Sequence, residues 1–71
     1  MTYGEAFDLA KGGFNIARAV WDSNVYVTFQ EGNVQFNTRP KLVITNDGVT
    51  KDWVAYSDDS EATDWTIWVA P

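Results

Sequence analysis

Trp21-Asp22-Ser23-Asn24 sets a large indole beside three short polar side chains on a turn. A ring in that setting can stack on a purine while the polar groups hydrogen-bond its edge. Trp53 and Trp65 supply two further large rings in the second half of the chain. Arg39 and Arg18 can hold a phosphate bidentately, which lysine cannot. These residues point toward recognition of a small ligand, although a tryptophan at a strand end, such as Trp21, is more often an ordinary core residue.

Covalent chemistry has far less to work with. The 71 residues include no cysteine and no histidine, so Ser–His and Cys–His nucleophiles are impossible and any metal site would have to be all-oxygen. A Ser–Lys pair needs a buried lysine, and the five cations (Lys11, Arg18, Arg39, Lys41, Lys51) sit beside glycines, charges or turns, where solvated side chains are the rule. The dense acidic group is Asp58, Asp59, Glu61 and Asp64. It lacks the spacing of a calcium-binding EF-hand loop and reads most simply as a solvated acidic turn. Gly12-Gly13 alone does not make a phosphate-binding loop. The expectation is a binding protein that is not an enzyme and has no cofactor and no metal.

Composition narrows the partners. The chain is one domain, residues 1–71, and so short a chain buries only about 60% of the surface it exposes when unfolded. Small domains compensate with disulfides, a metal or a partner subunit. Without cysteine or histidine, the remaining devices are oligomerisation and an aromatic core, and the chain carries four Trp, three Tyr and four Phe. A net charge of −5 disfavours duplex nucleic acid and anionic membrane, which need an extended basic footprint. It leaves room for a small anionic ligand held by one or two local cations. No apolar run approaches the roughly 20 residues of a membrane span, and the N-terminus is not a signal peptide, so the expected compartment is the cytosol.

The elements that must position these residues follow from periodicity. Thr2 and Glu5 form a capping box, and Tyr3, Phe7 and Ala10 repeat at helical spacing before Gly12-Gly13. The pattern predicts a helix over 3–11. Phe14 to Val20 alternates imperfectly and reads as a strand, with Phe14, Ile16 and Arg18 on one side. Val25 to Phe29 is a strand by its β-branched and aromatic residues. Glu31-Gly32-Asn33 then reads as a hairpin loop from which Val34-Gln35-Phe36 pairs back. Arg39-Pro40 interrupts the ladder. Leu42-Val43-Ile44 and Val49 to Tyr56 flank an Asp47-Gly48 hairpin turn. Residues 57–62 read as a loop or as one helical turn capped by Ser57, and 65–69 as the last strand. The result is an α+β domain: an N-terminal helix packed on a small antiparallel sheet of about five strands.

With the motifs in order, a family resemblance emerges. Met1-Thr2-Tyr3-Gly4-Glu5-Ala6-Phe7, then Gly12, then Ala17-Arg18 leading to Trp21-Asp22, resembles the opening of the phage Thoeris anti-defence proteins of the second type. Arg39-Pro40-x-Leu42, Asp47-Gly48, Trp53-x-Ala55 with Ser57 and Asp59, and Ala62-x-Asp64-Trp65 resemble that family's second half. The resemblance implies a sponge: a protein that binds cyclic ADP-ribose isomers, and in some members cyclic dinucleotides, without cleaving them. It implies a homo-oligomer, typically a tetramer, with pockets between subunits, acting in the infected bacterial host. Carried over by residue, it implies Phe7 and Trp21 as ring contacts, Asn24 as a polar contact, and Trp53 as the ring that opens the later segment. Ser57 and Asp64 match further positions of that segment, and Arg39 is the candidate for phosphate. The chain departs from the family in a short stretch between Asn33 and Arg39, an inserted Tyr56, Asp22 in place of Asn, and Val20 in place of Gly. A shortened loop would open or reshape the pocket.

Two other readings stand beside this one. An acidic protein-binding inhibitor would use Asp58, Asp59, Glu61 and Asp64 against a basic host protein. A phosphodiesterase would need an oxygen-ligated metal among the same carboxylates.

Overall fold

Thr2 starts the first helix. Its hydroxyl accepts the Glu5 N–H at 3.3 Å, and Glu5 Oε1 accepts the Thr2 N–H at 2.9 Å and the Thr2 hydroxyl at 3.0 Å. The backbone and hydroxyl bonds from Thr2 hold the Glu5 carboxylate below its ordinary pKa. Helix α1 runs Tyr3–Lys11 and ends where Gly12 and Gly13 donate back to the carbonyls of its last turn. The computed structural model describes the backbone of all 71 residues and every side chain except that of Val34.

Five strands follow: β1 (Ile16–Arg18), β2 (Val25–Gln30), β3 (Lys41–Asn46), β4 (Val49–Trp53) and β5 (Trp65–Ile67). A short helix, α2 (Ser57–Ser60), lies between β4 and β5. The sheet is antiparallel in the order β4-β3-β2-β1-β5. β5 therefore returns to the edge opposite β4. The β3–β4 hairpin closes at Asp47 (φ 50°) and Gly48 (φ 82°), the doubly positive pair that matches strand twist.

Opposed residues in a ladder share a face. The row Ile67–Ile16–Val27–Ile44, with Trp65–Arg18 and Phe29–Leu42–Trp53, faces α1. There Ala6, Ala10, Ile16, Val27 and Trp65 form the buried core. The other face carries Thr28–Val43–Asp52 and Tyr26–Thr45–Thr50. On that side Trp68 stacks on Tyr26 at 4.0 Å between centroids, and its Nε1 donates to the Ser23 carbonyl at 2.7 Å.

The sheet is strongly curled. Strands spaced about 4.8 Å apart would put the edges of a flat five-stranded sheet about 19 Å from each other. Trp53 of β4 and Trp65 of β5 nevertheless meet at 6.0 Å between ring centroids. Long side chains close part of that gap and curvature toward the helix closes the rest. Among the described residues, no helix is long and apolar enough to cross a membrane.

The expected α+β architecture is present, and three local expectations are corrected. Val34–Phe36 does not pair back on β2 but forms a turn of 3-10 helix, so β2 pairs with β3 instead. Asn33 accounts for the difference: its side chain accepts the Gln35 N–H and its carbonyl accepts the N–H groups of Phe36 and Thr38. Ser57 does not cap α2; Tyr56 holds the cap position without a side-chain bond, and Ser57 is the first helical residue. The acidic turn is not uniformly solvated, because Arg18 engages Asp59 and Asp64. Three strands also prove shorter than their patterns suggest, β1 at both ends and β4 and β5 at their C-terminal ends.

Candidate functional site

The capping box of α1 fixes where its rings point. Tyr3 reaches over the curled sheet to Trp65 at 5.4 Å and Trp53 at 6.4 Å. Trp21, on the turn after β1, meets Trp65 at 5.4 Å and Trp53 at 6.2 Å, both edge to face. Four rings from four parts of the chain thus converge on one corner. Edge-to-face pairs of this kind contribute about 0.5–1.5 kcal/mol each beyond the area they bury.

Trp65 is the anchor, 2% exposed, while Tyr3, Trp21 and Trp53 are half-buried. A buried indole needs a partner for its N–H. Trp65 Nε1 donates to the Asp59 carbonyl at 2.8 Å, which ties the corner to α2. Asp59 is held in turn by Arg18, whose Nη1 donates to its Oδ1 at 3.2 Å. Arg18 Nε donates to Asp64 Oδ1 at 3.0 Å. One guanidinium on β1 therefore fastens both α2 and the approach to β5.

The charges respond accordingly. The hydrogen bond from Arg18 holds the Asp64 carboxyl below the usual carboxylate range. The same bond to Asp64 raises Arg18 further above its ordinary value. Burial, and then the nearby Asp59 carboxylate, push the Tyr3 phenol up. Asp64 Oδ2 is buried without a hydrogen-bond partner, so the triad is not fully satisfied. Among the described residues, no group of three or more acidic side chains is arranged to hold a metal ion.

The residues singled out from sequence are not all brought together. Trp21 and Trp53 meet in the corner. Phe7 adjoins it through Tyr3 at 6.0 Å and packs edge-on against Phe29, also at 6.0 Å. Asp64 lies behind the corner, committed to Arg18. Ser57 is exposed on α2, and its carbonyl accepts the Ser60 hydroxyl and the Glu61 N–H. Asn24 stands at the end of the β2–β3 pair, where its side chain and carbonyl bond Asp47. Arg39 lies elsewhere, in a concavity of about 360 Å³ with Gln30, Glu31, Thr38, Pro40 and Lys41.

Two members of the corner went unselected in the sequence reading, Tyr3 and Asp59, whereas Trp65 stood out as a large ring alongside Trp53. Signals for both existed. Tyr3 shares its helical spacing with Phe7 and Ala10, which marks the buried face of α1. Arg18 falls on the same side of its strand as Ile16, and an arginine on an apolar face demands a carboxylate, here Asp59 or Asp64.

Comparison with curated proteins gives no match. The Thoeris anti-defense 2-like (Tad2-like) domain matches residues 1–68, nearly the full length of the chain. It spans α1, all five strands and every residue of the aromatic corner. The chain therefore belongs to the Thoeris anti-defense 2-like family, whose role is phage anti-defence.

Proposed function

We propose that this protein is a non-catalytic sponge that sequesters cyclic nucleotide-type immune messengers in the infected cell. Cyclic ADP-ribose isomers are the first class of ligand and cyclic dinucleotides the second. The observation that carries this reading is the meeting of Trp21 and Trp53, two half-buried rings, in a chain of an anti-defence family. A half-buried indole pinned edge-on by its neighbours keeps a fixed plane against which a base can stack.

The energetics call for a larger site than one corner. A sponge must hold a scarce signal, and nanomolar affinity corresponds to about −12 kcal/mol. Stacking contributes about 1–3 kcal/mol per base. Two rings therefore supply well under the total, and contacts from a second subunit would complete the pocket. A homotetramer, as the family resemblance implies, supplies them. Asn24, Ser57 and Arg39 lie outside the corner within one protomer, and assembly is what would bring such residues to one ligand.

The protein-binding alternative loses ground. Two of its four carboxylates, Asp59 and Asp64, are occupied by Arg18, which leaves Asp58 and Glu61 as the exposed pair.

The test is native mass spectrometry with a panel of cyclic ADP-ribose isomers and cyclic dinucleotides, on the wild type and Trp21→Ala. Wild type retains one of them unmodified, and Trp21→Ala stays folded and retains none. Undiminished retention by the variant removes Trp21 from the site. Retention of nothing by the wild type defeats the sponge reading.

A further inference from the structure

The turn that carries Trp21 is gripped from both faces of the sheet. Side chains on a strand alternate between faces. Trp65 and Ile67 of β5 face α1, so Trp68, the next residue, turns to the opposite face. Its backbone prolongs the strand, because the Trp68 N–H donates to the Asn15 carbonyl at 2.8 Å. On the inner side Trp65 meets the Trp21 ring edge to face. On the outer side Trp68 Nε1 donates to the Ser23 carbonyl, two residues beyond Trp21.

From Ala19 to Asn24 the chain lies in neither helix nor strand. Its ends are fixed by other bonds. The Trp21 N–H donates to the Arg18 carbonyl at 3.0 Å, and the Val25 N–H to the Asp22 carbonyl at 3.1 Å. Asn24 accepts the Asp47 N–H at 3.3 Å, which ties the end of the turn to the β3–β4 hairpin. The bond from Trp68 reaches the middle of the turn from 45 residues away, and at 2.7 Å it is short for an N–H donor. The donor is itself held. Its ring lies on Tyr26 with 27° between planes, and Tyr26 is a residue of β2 opposite Thr45 of β3. The order of the sheet is thereby carried into the turn.

We propose that Trp68 is a positioning residue for the Trp21 ring: its indole N–H fixes the Ser23 peptide and, through it, the plane that Trp21 offers to a base. Trp68 acts from behind the turn and not on the ligand. Its effect on affinity rests on the sponge reading, whereas its effect on Trp21 belongs to the free protein. A turn released at Ser23 samples other arrangements, and only a fraction of copies then present the ring correctly. Apparent affinity falls by that fraction. The net worth of one hydrogen bond sets the scale at about two- to tenfold.

Trp68→Phe removes the N–H and keeps a ring on Tyr26. Tyr26→Leu, which removes the ring that Trp68 lies on, is a second variant with the same expected direction. Thr50→Val is the control for lost stability alone: on the same outer face, it breaks the hydroxyl pair between Thr45 and Thr50. NMR relaxation of the Trp21 indole N–H, with cross-relaxation between the Trp21 and Trp65 rings, reads the free proteins. Calorimetric titration with the cyclic nucleotide that the wild type retains reads binding. In Trp68→Phe the Trp21 indole loses order, its contact with Trp65 weakens, and affinity drops by about two- to tenfold while the chain stays folded. Thr50→Val keeps wild-type Trp21 order and affinity even where its urea midpoint falls. Variants at Trp68 and Tyr26 that lose stability but keep Trp21 order and affinity overturn the proposal, because Trp68 is then only a brace. Equal loss of Trp21 order in Thr50→Val overturns it too. A wild type that retains no cyclic nucleotide defeats the sponge reading, and the order of Trp21 in the free proteins then decides the positioning by itself.

Discussion

The aromatic corner and the loop between β2 and β3 both carry residues that sequence alone marks for ligand binding, and the fold holds them by different means. In the corner each ring is fixed from several directions. Trp65 touches Tyr3, Trp21 and Trp53, and its N–H is anchored to α2. In the loop the order is local. Asn33 and Thr38 exchange hydrogen bonds across a 3-10 turn, and Arg39 follows as an exposed side chain. A plane for stacking must hold its orientation to be useful, so it belongs where tertiary contacts over-determine it. A cation attracts at longer range and tolerates motion, so a local loop suffices.

The largest break in this comparison is Trp65→Ala. Removing a fully buried tryptophan costs about 3–5 kcal/mol, a large share of what so small a domain possesses. The expected result in urea unfolding is a chain at or near the unfolded state without denaturant. A variant that unfolds with the wild-type midpoint would mean that the other three rings close the corner unaided.

Acid tests the electrostatic part of the corner. Asp64 has a lowered pKa in the folded protein, so the unfolded chain takes up its proton first as pH falls. The stabilisation is present above the ordinary aspartate value, near about 3.9, and is lost as pH drops through the lower folded value. Tyr3 gives the opposite case. Its raised pKa makes its contribution complete below about 10 and lost as pH rises through the folded value. Denaturation midpoints against pH should therefore fall at both extremes. Arg18→Ala should flatten the acid limb and leave the alkaline limb in place; an unchanged acid limb would remove the triad as its source.

This contrast also explains what was legible in the sequence. The capping box, the Asp47-Gly48 turn and the alternating strands are local signals, and each is present in the fold. Thr2 with Glu5 and Asp47 with Gly48 need no distant partner. The corner was half legible, since Trp21, Trp53 and Trp65 stood out as rings. Their meeting with one another and with Tyr3 depends on how far the sheet curls and on β5 returning beside β1, and neither leaves a mark at fixed spacing. The acidic turn misled for the same reason: nothing near Asp59 or Asp64 in sequence reveals that Arg18, more than forty residues away, is their partner. Val34–Phe36 misled in another way, because its apolar pattern suited a strand while the Asn33 side chain captured the backbone first.

The loop breaks more gently. A Cβ on Gly32 would lie 2.6 Å from the Thr38 carbonyl oxygen and 2.9 Å from Pro40 Cδ. Gly32→Ala forces those backbones apart, at about 1–3 kcal/mol. The damage should stay in the loop. Hydrogen exchange should rise for residues 33–38, while tryptophan fluorescence from the corner keeps its wild-type spectrum. A changed spectrum would show that loop and corner are mechanically coupled after all.

Arg39→Ala should have the smallest effect on the fold and the most informative effect on the ligand. Arg39 is exposed and forms no salt bridge among the described residues, so its removal should alter stability by no more than about 0.5 kcal/mol. If it holds a phosphate of the messenger, a charge-assisted bond worth about 1.5–3 kcal/mol is lost, and binding weakens by about one to two powers of ten. Arg39→Lys should recover part of this, because a point charge still attracts phosphate but lacks the two-pronged geometry. Calorimetric titration of the three proteins separates the cases. Equal affinity in all of them would confine recognition to the aromatic corner, and the concavity around Arg39 would be a feature of the loop alone.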